Sequence, residues 1–214
     1  MSLIIKICGL KTPETLEAAI AAGADWVGFV FFAKSPRHVS LDEAKALGQI
    51  VGSRAKKVAL SVDADDVALA DIEKALTPDF HQLHGHESPE RVAAIRAKFG
   101  RPVIKAIGIA DAADFEAART YETAADWLLL DAKPPKNAEL PGGNGLPFDW
   151  HLLSGLDLQK PFMVSGGLDP SNVGTAIAIS HPAGVDVSSG VETAPGVKDP
   201  AKIRAFIEAA RRAR

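Results

Sequence analysis

Cysteine is almost missing: of 214 residues only Cys8 carries a thiol. One cysteine cannot close a disulfide within the chain, which suits a reducing compartment. Long apolar runs are missing too. The longest, such as residues 26–33, are far too short to cross a bilayer, and the first residues hold no cationic segment leading into an apolar one. No membrane association and no secretory leader are therefore expected, and the cytoplasm is the default location. Lys and Arg number 24 against 27 Asp and Glu, for a net charge of −3, with no basic stripe interleaved with aromatics. That excludes nucleic acid as an expected partner. No Pro/Ser-rich or single-charge linker divides the chain, so a single domain over residues 1–214 is expected.

What the chain does have is alternation. Apolar strand-like runs at residues 3–8, 25–32, 57–62, 79–84, 102–107, 126–130, 161–164 and 184–187 alternate with helical stretches at 13–22, 41–50, 65–76, 89–98, 112–119, 149–153, 170–179 and 200–212. Helix starts are marked locally. Thr12 precedes Pro13, Ser40 stands three residues before Glu43 as in a capping box, and Ser88 precedes Pro89. Strands followed by helices demand parallel pairing and right-handed crossovers. Eight such units favour closure into an α/β fold of the (β/α)8 TIM-barrel type, eight parallel strands with helices outside. An open dinucleotide-binding sheet would carry its glycine fingerprint after the first strand, and Cys8-Gly9-Leu10-Lys11 is not that fingerprint.

In such a barrel the chemistry belongs to the loops after the strands. That rule selects Cys8, Arg37, Asp63, His84, Asp131, the turn 165–167 and the turn 188–190. Side chains alternate along a strand, so Lys6 shares a face with Cys8, Gln82 with His84, and Asp186 with Ser188. Lys105, inside an apolar strand, is a candidate for the barrel interior. The glycine turns after the last two strands, Ser165-Gly166-Gly167 and Ser188-Ser189-Gly190, expose backbone N–H groups without side chains in the way. A Gly-Gly after one strand is as readily a plain tight turn, but two adjacent turns at the barrel's tail make a phosphate cup. A lone strand-end cysteine such as Cys8 is usually a small core hydrophobe, and Asp131 reads equally as a turn cap. His81 lies on the opposite face from His84, and no carboxylate stands at ligand spacing, so no metal is expected. Residues 133–146, rich in glycine, read as a lid over the site, with a mobile linker as the alternative.

Taken in order, several blocks resemble the phosphoribosylanthranilate isomerases of tryptophan biosynthesis: Lys6-Ile7-Cys8-Gly9, Ser35-Pro36-Arg37, Gln82-Leu83-His84-Gly85, Leu130-Asp131, Gly142-Gly143-Asn144-Gly145 leading to Phe148-Asp149-Trp150, Ser165-Gly166-Gly167-Leu168, and residues 186–192 with Pro195-Gly196 and Lys198. The third strand departs by lacking the family's Gly, Phe and terminal Asn, and Asn144 stands where Thr or Ser is common. These departures touch the pocket and not the acid or base.

The resemblance implies an Amadori rearrangement of N-(5-phosphoribosyl)anthranilate, with Asp131 as general acid, Cys8 as general base, and no metal or organic cofactor. It also implies a small-molecule phosphosugar partner held by Gly166, Gly167, Asp186, Ser188, Ser189 and Gly190. Arg37 would take the anthranilate carboxylate bidentately, with Gln82, His84 and Lys6 as further substrate-binding residues. Enzymes of this type are monomers or homodimers. Burial would have to keep Asp131 protonated. A free cysteine, with pKa about 8.5, is only a few per cent thiolate at neutral pH, so Lys6 is the expected cation that favours the thiolate. Alternatives are another phosphosugar barrel enzyme, or a barrel that binds a phosphate ligand without catalysis.

Overall fold

The computed structural model describes residues 3–133 and 149–213. Eight parallel strands close into a barrel in chain order: β1 (Ile4–Cys8), β2 (Trp26–Phe31), β3 (Lys56–Ser61), β4 (Phe80–Leu83), β5 (Val103–Ile109), β6 (Trp127–Ala132), β7 (Phe162–Val164) and β8 (Gly184–Val187), with β8 pairing back to β1. Among the described residues seven α-helices stand between or after them: α1 (Pro13–Ala21), α2 (Leu41–Val51), α3 (Asp66–Leu76), α4 (Pro89–Phe99), α5 (Asp114–Thr120), α6 (Val173–Ser180) and α7 (Pro200–Arg212). After β6 there is only a short 3₁₀ turn, Trp150–Leu153, among the described residues. The lid expectation at 133–146 falls, beyond Lys133, outside the described residues.

The helix starts follow from local chemistry. Thr12, Ser40 and Ser88 each accept a hydrogen bond from the backbone N–H three residues on, and Ser40 with Glu43 completes the reciprocal capping box. The expected helix at 170–179 starts later, at Val173. Residues 170–172 form a turn in which Asp169 accepts from the amides of Ser171 and Asn172, so Pro170 lies outside the helix.

Two apolar layers follow from the period-two alternation of the strands. Ile5, Ile7, Val27, Phe29, Leu83, Val103, Leu128, Leu130, Val164 and Val185 face outward into the core shared with the helices. Each such side chain, fully buried, contributes about 1.5–3 kcal/mol of transfer free energy. The other set fills the barrel. Its floor is Trp26, Val58, Ile104, Ala106, Leu129 and Met163, with Phe80 and Trp127 packed against them. Lys105 has the outward parity, contrary to the interior position expected of it. Its ammonium lies on the helix side, 2.8 Å from Glu87 Oε2 and 2.7 Å from the Gly85 carbonyl, which meets the demand that a buried charge be paired.

An element absent from the sequence reading follows β8. A 3₁₀ turn, Ser189–Val191, leads into an antiparallel hairpin of β9 (Glu192–Ala194) and β10 (Val197–Lys198). No helix of the described residues is long and apolar enough to cross a membrane.

Candidate active site

A cavity of about 690 Å³, open to solvent, sits at the C-terminal mouth of the barrel. Its wall divides by strand. Val30 and Phe32 around the end of β2 and Leu60 and Val62 around the end of β3 make an apolar side that meets Cys8. The opposite side is polar and comes from β4, β6, β7 and β8: Gln82, His84, Asp131, Ser165 to Gly167, Asp186, Ser188 and Ser189.

Cys8, the last residue of β1, is 3% exposed and lies in the wall. Burial pushes its thiol above the usual range, because a thiolate loses hydration there. Lys6 pulls in the other direction, Asp186 reinforces the rise and Lys198 opposes it, and burial prevails. Lys6 therefore favours the thiolate, as expected, but does not outweigh the burial that keeps the thiol raised. Lys6 is fully buried, is not in the cavity wall, and places its ammonium 2.9 Å from Asp186 Oδ1. Burial alone would lower the Lys6 pKa, but the Asp186 carboxylate and Cys8 together raise it. Lys6 thus stands behind the site, not against a substrate.

Asp186 was expected among the phosphate contacts. It does reach the wall, but its carboxylate is spent on Lys6, and a carboxylate facing a phosphate repels it. Asp131 ends the inward series of β6 and is 6% exposed. Its Oδ1 accepts from the Ala132 amide at 2.9 Å, and its Oδ2 lies 3.3 Å from His84 Nε2. His84 Nδ1 lies 3.1 Å from Gln82 Nε2, so Gln82, His84 and Asp131 form a chain along one side of the mouth. His81, the outward residue, pairs with Glu73 on α3 at 2.8 Å, as the alternation demanded.

The two glycine turns meet each other. A side chain on Gly166, which has φ +83°, would strike Ala132 and Asp131 Oδ1, and one on Gly190 would strike the Leu168 carbonyl. Glycine lets one turn approach Asp131 and the two turns interlock. Gly190 is not among the cavity-wall residues, and its close approach to Leu168 is what holds the two turns together. No acceptor among the described residues pairs with the amides of Gly166, Gly167 or Ser189, all in the wall. The Ser188 hydroxyl is already engaged, donating to the Cys8 carbonyl at 3.2 Å. Two further polar atoms of the wall, Ser165 Oγ and Gln82 Oε1, are buried without a partner among the described residues. Such groups are costly unless a ligand or water completes them.

Arg37 is in the wall but 6% exposed, and it is not a free surface arginine. Its Nε and Nη2 donate to Glu192 Oε1 and Oε2 at 2.8 and 2.9 Å. That edge is closed to a substrate, and the Nη1/Nη2 edge remains. Glu192 and Lys198, both on the hairpin after β8, are the buried residues that the reading of strand ends missed. The only signal for them was their place in the family blocks. Asp63, another strand-end candidate, accepts the His86 amide at 2.6 Å and shapes the β4 loop instead. Among the described residues no group of three or more His, Cys, Asp or Glu is placed to hold a metal ion.

With this geometry in place, likeness to known proteins becomes informative. The family model described as N-(5'phosphoribosyl)anthranilate (PRA) isomerase matches residues 5–209. An N-(5'-phosphoribosyl)anthranilate isomerase of Rhodopseudomonas palustris strain HaA2 is 63% identical over 211 residues, covering 99% of this chain and 97% of the relative. Among solved structures, the phosphoribosyl anthranilate isomerase of Thermotoga maritima superposes with a TM-score of 0.89 at 36% identity, over 98% of this chain and 99% of its own. Another, solved in complex with reduced 1-(o-carboxyphenylamino)-1-deoxyribulose 5-phosphate, gives a TM-score of 0.85 at 33% identity over 98% and 99%.

Proposed function

The chain belongs to the N-(5'-phosphoribosyl)anthranilate isomerase family, and from that premise we propose that its barrel mouth converts N-(5-phosphoribosyl)anthranilate to 1-(2-carboxyphenylamino)-1-deoxyribulose 5-phosphate with Asp131 as general acid and Cys8 as general base. The observation that carries this assignment is that both residues end inward-facing strand series and stand in the wall of one cavity that also holds an anion cup and an arginine.

The steps follow from proton bookkeeping. Asp131 gives its proton to the furanose ring oxygen, the C1–O bond breaks, and the nitrogen lone pair completes a Schiff base. The Cys8 thiolate then takes the proton from C2, and the electron pair moves toward the iminium nitrogen to leave an enolamine, which becomes the ketose amine as C1 takes up a proton and the C2 hydroxyl gives one up. The substrate's own nitrogen is the electron sink, so the residues need only move protons and hold the ends. The amides of Gly166, Gly167 and Ser189 hold the phosphate. The apolar side, Val30, Phe32, Leu60 and Val62, takes the aromatic ring. The remaining edge of Arg37 takes the ring carboxylate. Gln82 and His84 face the sugar beside Asp131.

The raised Cys8 thiol fits the base role in one respect: a proton acceptor with a higher pKa is a stronger base once ionised. Its cost is a smaller thiolate fraction near neutrality. An assay of the purified protein with freshly made phosphoribosylanthranilate, following the loss of its fluorescence, tests the reading. Turnover is expected; tight binding of a phosphate ligand without turnover would overturn it in favour of a binding barrel.

A further inference from the structure

The hairpin β9–β10 places one carboxylate where three separate parts of the mouth meet. Glu192 Oε1 accepts from Arg37 Nε at 2.8 Å and from Lys198 Nζ at 2.7 Å. Its Oε2 accepts from Arg37 Nη2 at 2.9 Å and from the Gly196 amide at 3.2 Å. A carboxylate has about four acceptor sites, and all are filled. Lys198 is filled as well: besides Glu192, its ammonium donates to the Ser188 carbonyl at 2.9 Å and to the Ser188 hydroxyl at 3.1 Å. Ser188 in turn reaches the Cys8 carbonyl. All three charged residues are buried, and two cations share one anion.

A buried ion cluster is weak evidence of stability, since desolvation offsets much of its Coulomb energy. Geometry is what it does supply. Arginine on a flexible stem loses side-chain entropy each time it binds a ligand, unless another contact has already fixed its plane. Glu192 fixes that plane through two parallel bonds and leaves the Nη1/Nη2 edge of a cavity-wall arginine without a partner among the described residues.

We infer that Glu192 is a specificity-determining positioning residue, which presents the free edge of Arg37 to the substrate's aromatic carboxylate and, through Lys198 and Ser188, ties that end of the pocket to the phosphate cup. The inference rests on the reading of Arg37 as the carboxylate contact. It has a consequence opposite to simple electrostatics. Neutralising Glu192 adds one unit of positive charge beside the pocket, which by Coulomb attraction alone would strengthen the binding of a carboxylate. Loss of positioning weakens it.

The test compares two ligands by titration calorimetry: the reduced product analogue with its ring carboxylate, and the same compound without it. The wild-type protein is expected to prefer the carboxylate-bearing ligand. No preference would overturn the Arg37 reading on which the inference stands. In Glu192→Gln the preference is expected to fall by about tenfold or more, the scale of one charge-assisted hydrogen bond, while affinity for the ligand lacking the carboxylate changes less. A preference that holds or rises in Glu192→Gln would overturn the positioning role while leaving Arg37 in place. Should Glu192→Gln fail to fold, Glu192→Asp keeps the charge but cannot span both Arg37 and Lys198. Its preference is expected to fall in the same way, and a wild-type preference in that variant would equally refute the inference.

Discussion

The two ends of this barrel are built from the same strands and could hardly differ more. At the N-terminal end Trp26 stacks on Phe80 with ring centroids 4.3 Å apart and meets Trp127 edge-on at 5.0 Å, closing the floor. At the C-terminal end the same strands stop around an open cavity, and the side chains at and just beyond their ends become Cys8, His84, Asp131 and Ser188. Between them lies the Lys6–Asp186 pair. One strand shows the gradient by itself: the inward residues of β1 are Ile4, then Lys6, then Cys8. Satisfied apolar packing at one end provides rigidity, and the other end can therefore leave polar atoms such as Ser165 Oγ and Gln82 Oε1 without a partner among the described residues.

That division makes opposite demands on substitutions at the two ends. The largest expected effect is at the mouth. Cys8→Ser and Asp131→Asn are each expected to lower kcat by about a hundredfold to ten-thousandfold, the usual yield of a general acid or base, with the melting temperature near that of the wild type. Wild-type turnover in either variant would remove that residue from the mechanism. On the floor, Trp26→Ala is expected to cost about 3–5 kcal/mol of stability in denaturant titrations, with kcat per folded molecule nearly unchanged. A floor variant that kept its stability and lost its turnover would erase the distinction between the ends.

The smallest effect sharpens the boundary between them. Lys6 stands outside the cavity wall, so Lys6→Met, which also releases Asp186 from its partner, is expected to act on Cys8 through charge. Removing a cation that favours the thiolate is expected to raise the Cys8 pKa further and to move the rising limb of the pH profile of kcat toward alkali. The sign follows from the base being the deprotonated form: activity grows as pH rises through the thiol pKa. An unmoved limb would mean that Lys6 has no electrostatic hold on the reaction.

How far these residues were legible in the sequence depended on distance along the chain. Ser40 with Glu43, or Ser88 with Pro89, carry their meaning within a few positions, so helix starts were readable. Asp131 and Cys8 were readable because alternation and the strand-end rule place them without knowledge of any partner. The pairs Lys6–Asp186 and Arg37–Glu192 span 180 and 155 residues, and no local pattern announces them. That is why Lys6 was expected at the substrate and Arg37 with a free fork. The hairpin escaped notice for another reason: strands of three and two residues are too short to show a period. The start of α6 was misplaced because Pro170 fits a first helical position by composition, while Asp169 and Asn172 use the same residues for a turn.

The central claim is that a buried thiol at the mouth is the base, and the presence of a single cysteine makes it directly measurable. Thiolate absorbance in the ultraviolet, followed against pH with Cys8→Ser as the blank, titrates this one group. The account predicts a midpoint above that of a free cysteine, with the rising limb of kcat following the same curve. A midpoint at or below the free value, or activity at full strength while Cys8 is still a thiol, would contradict it.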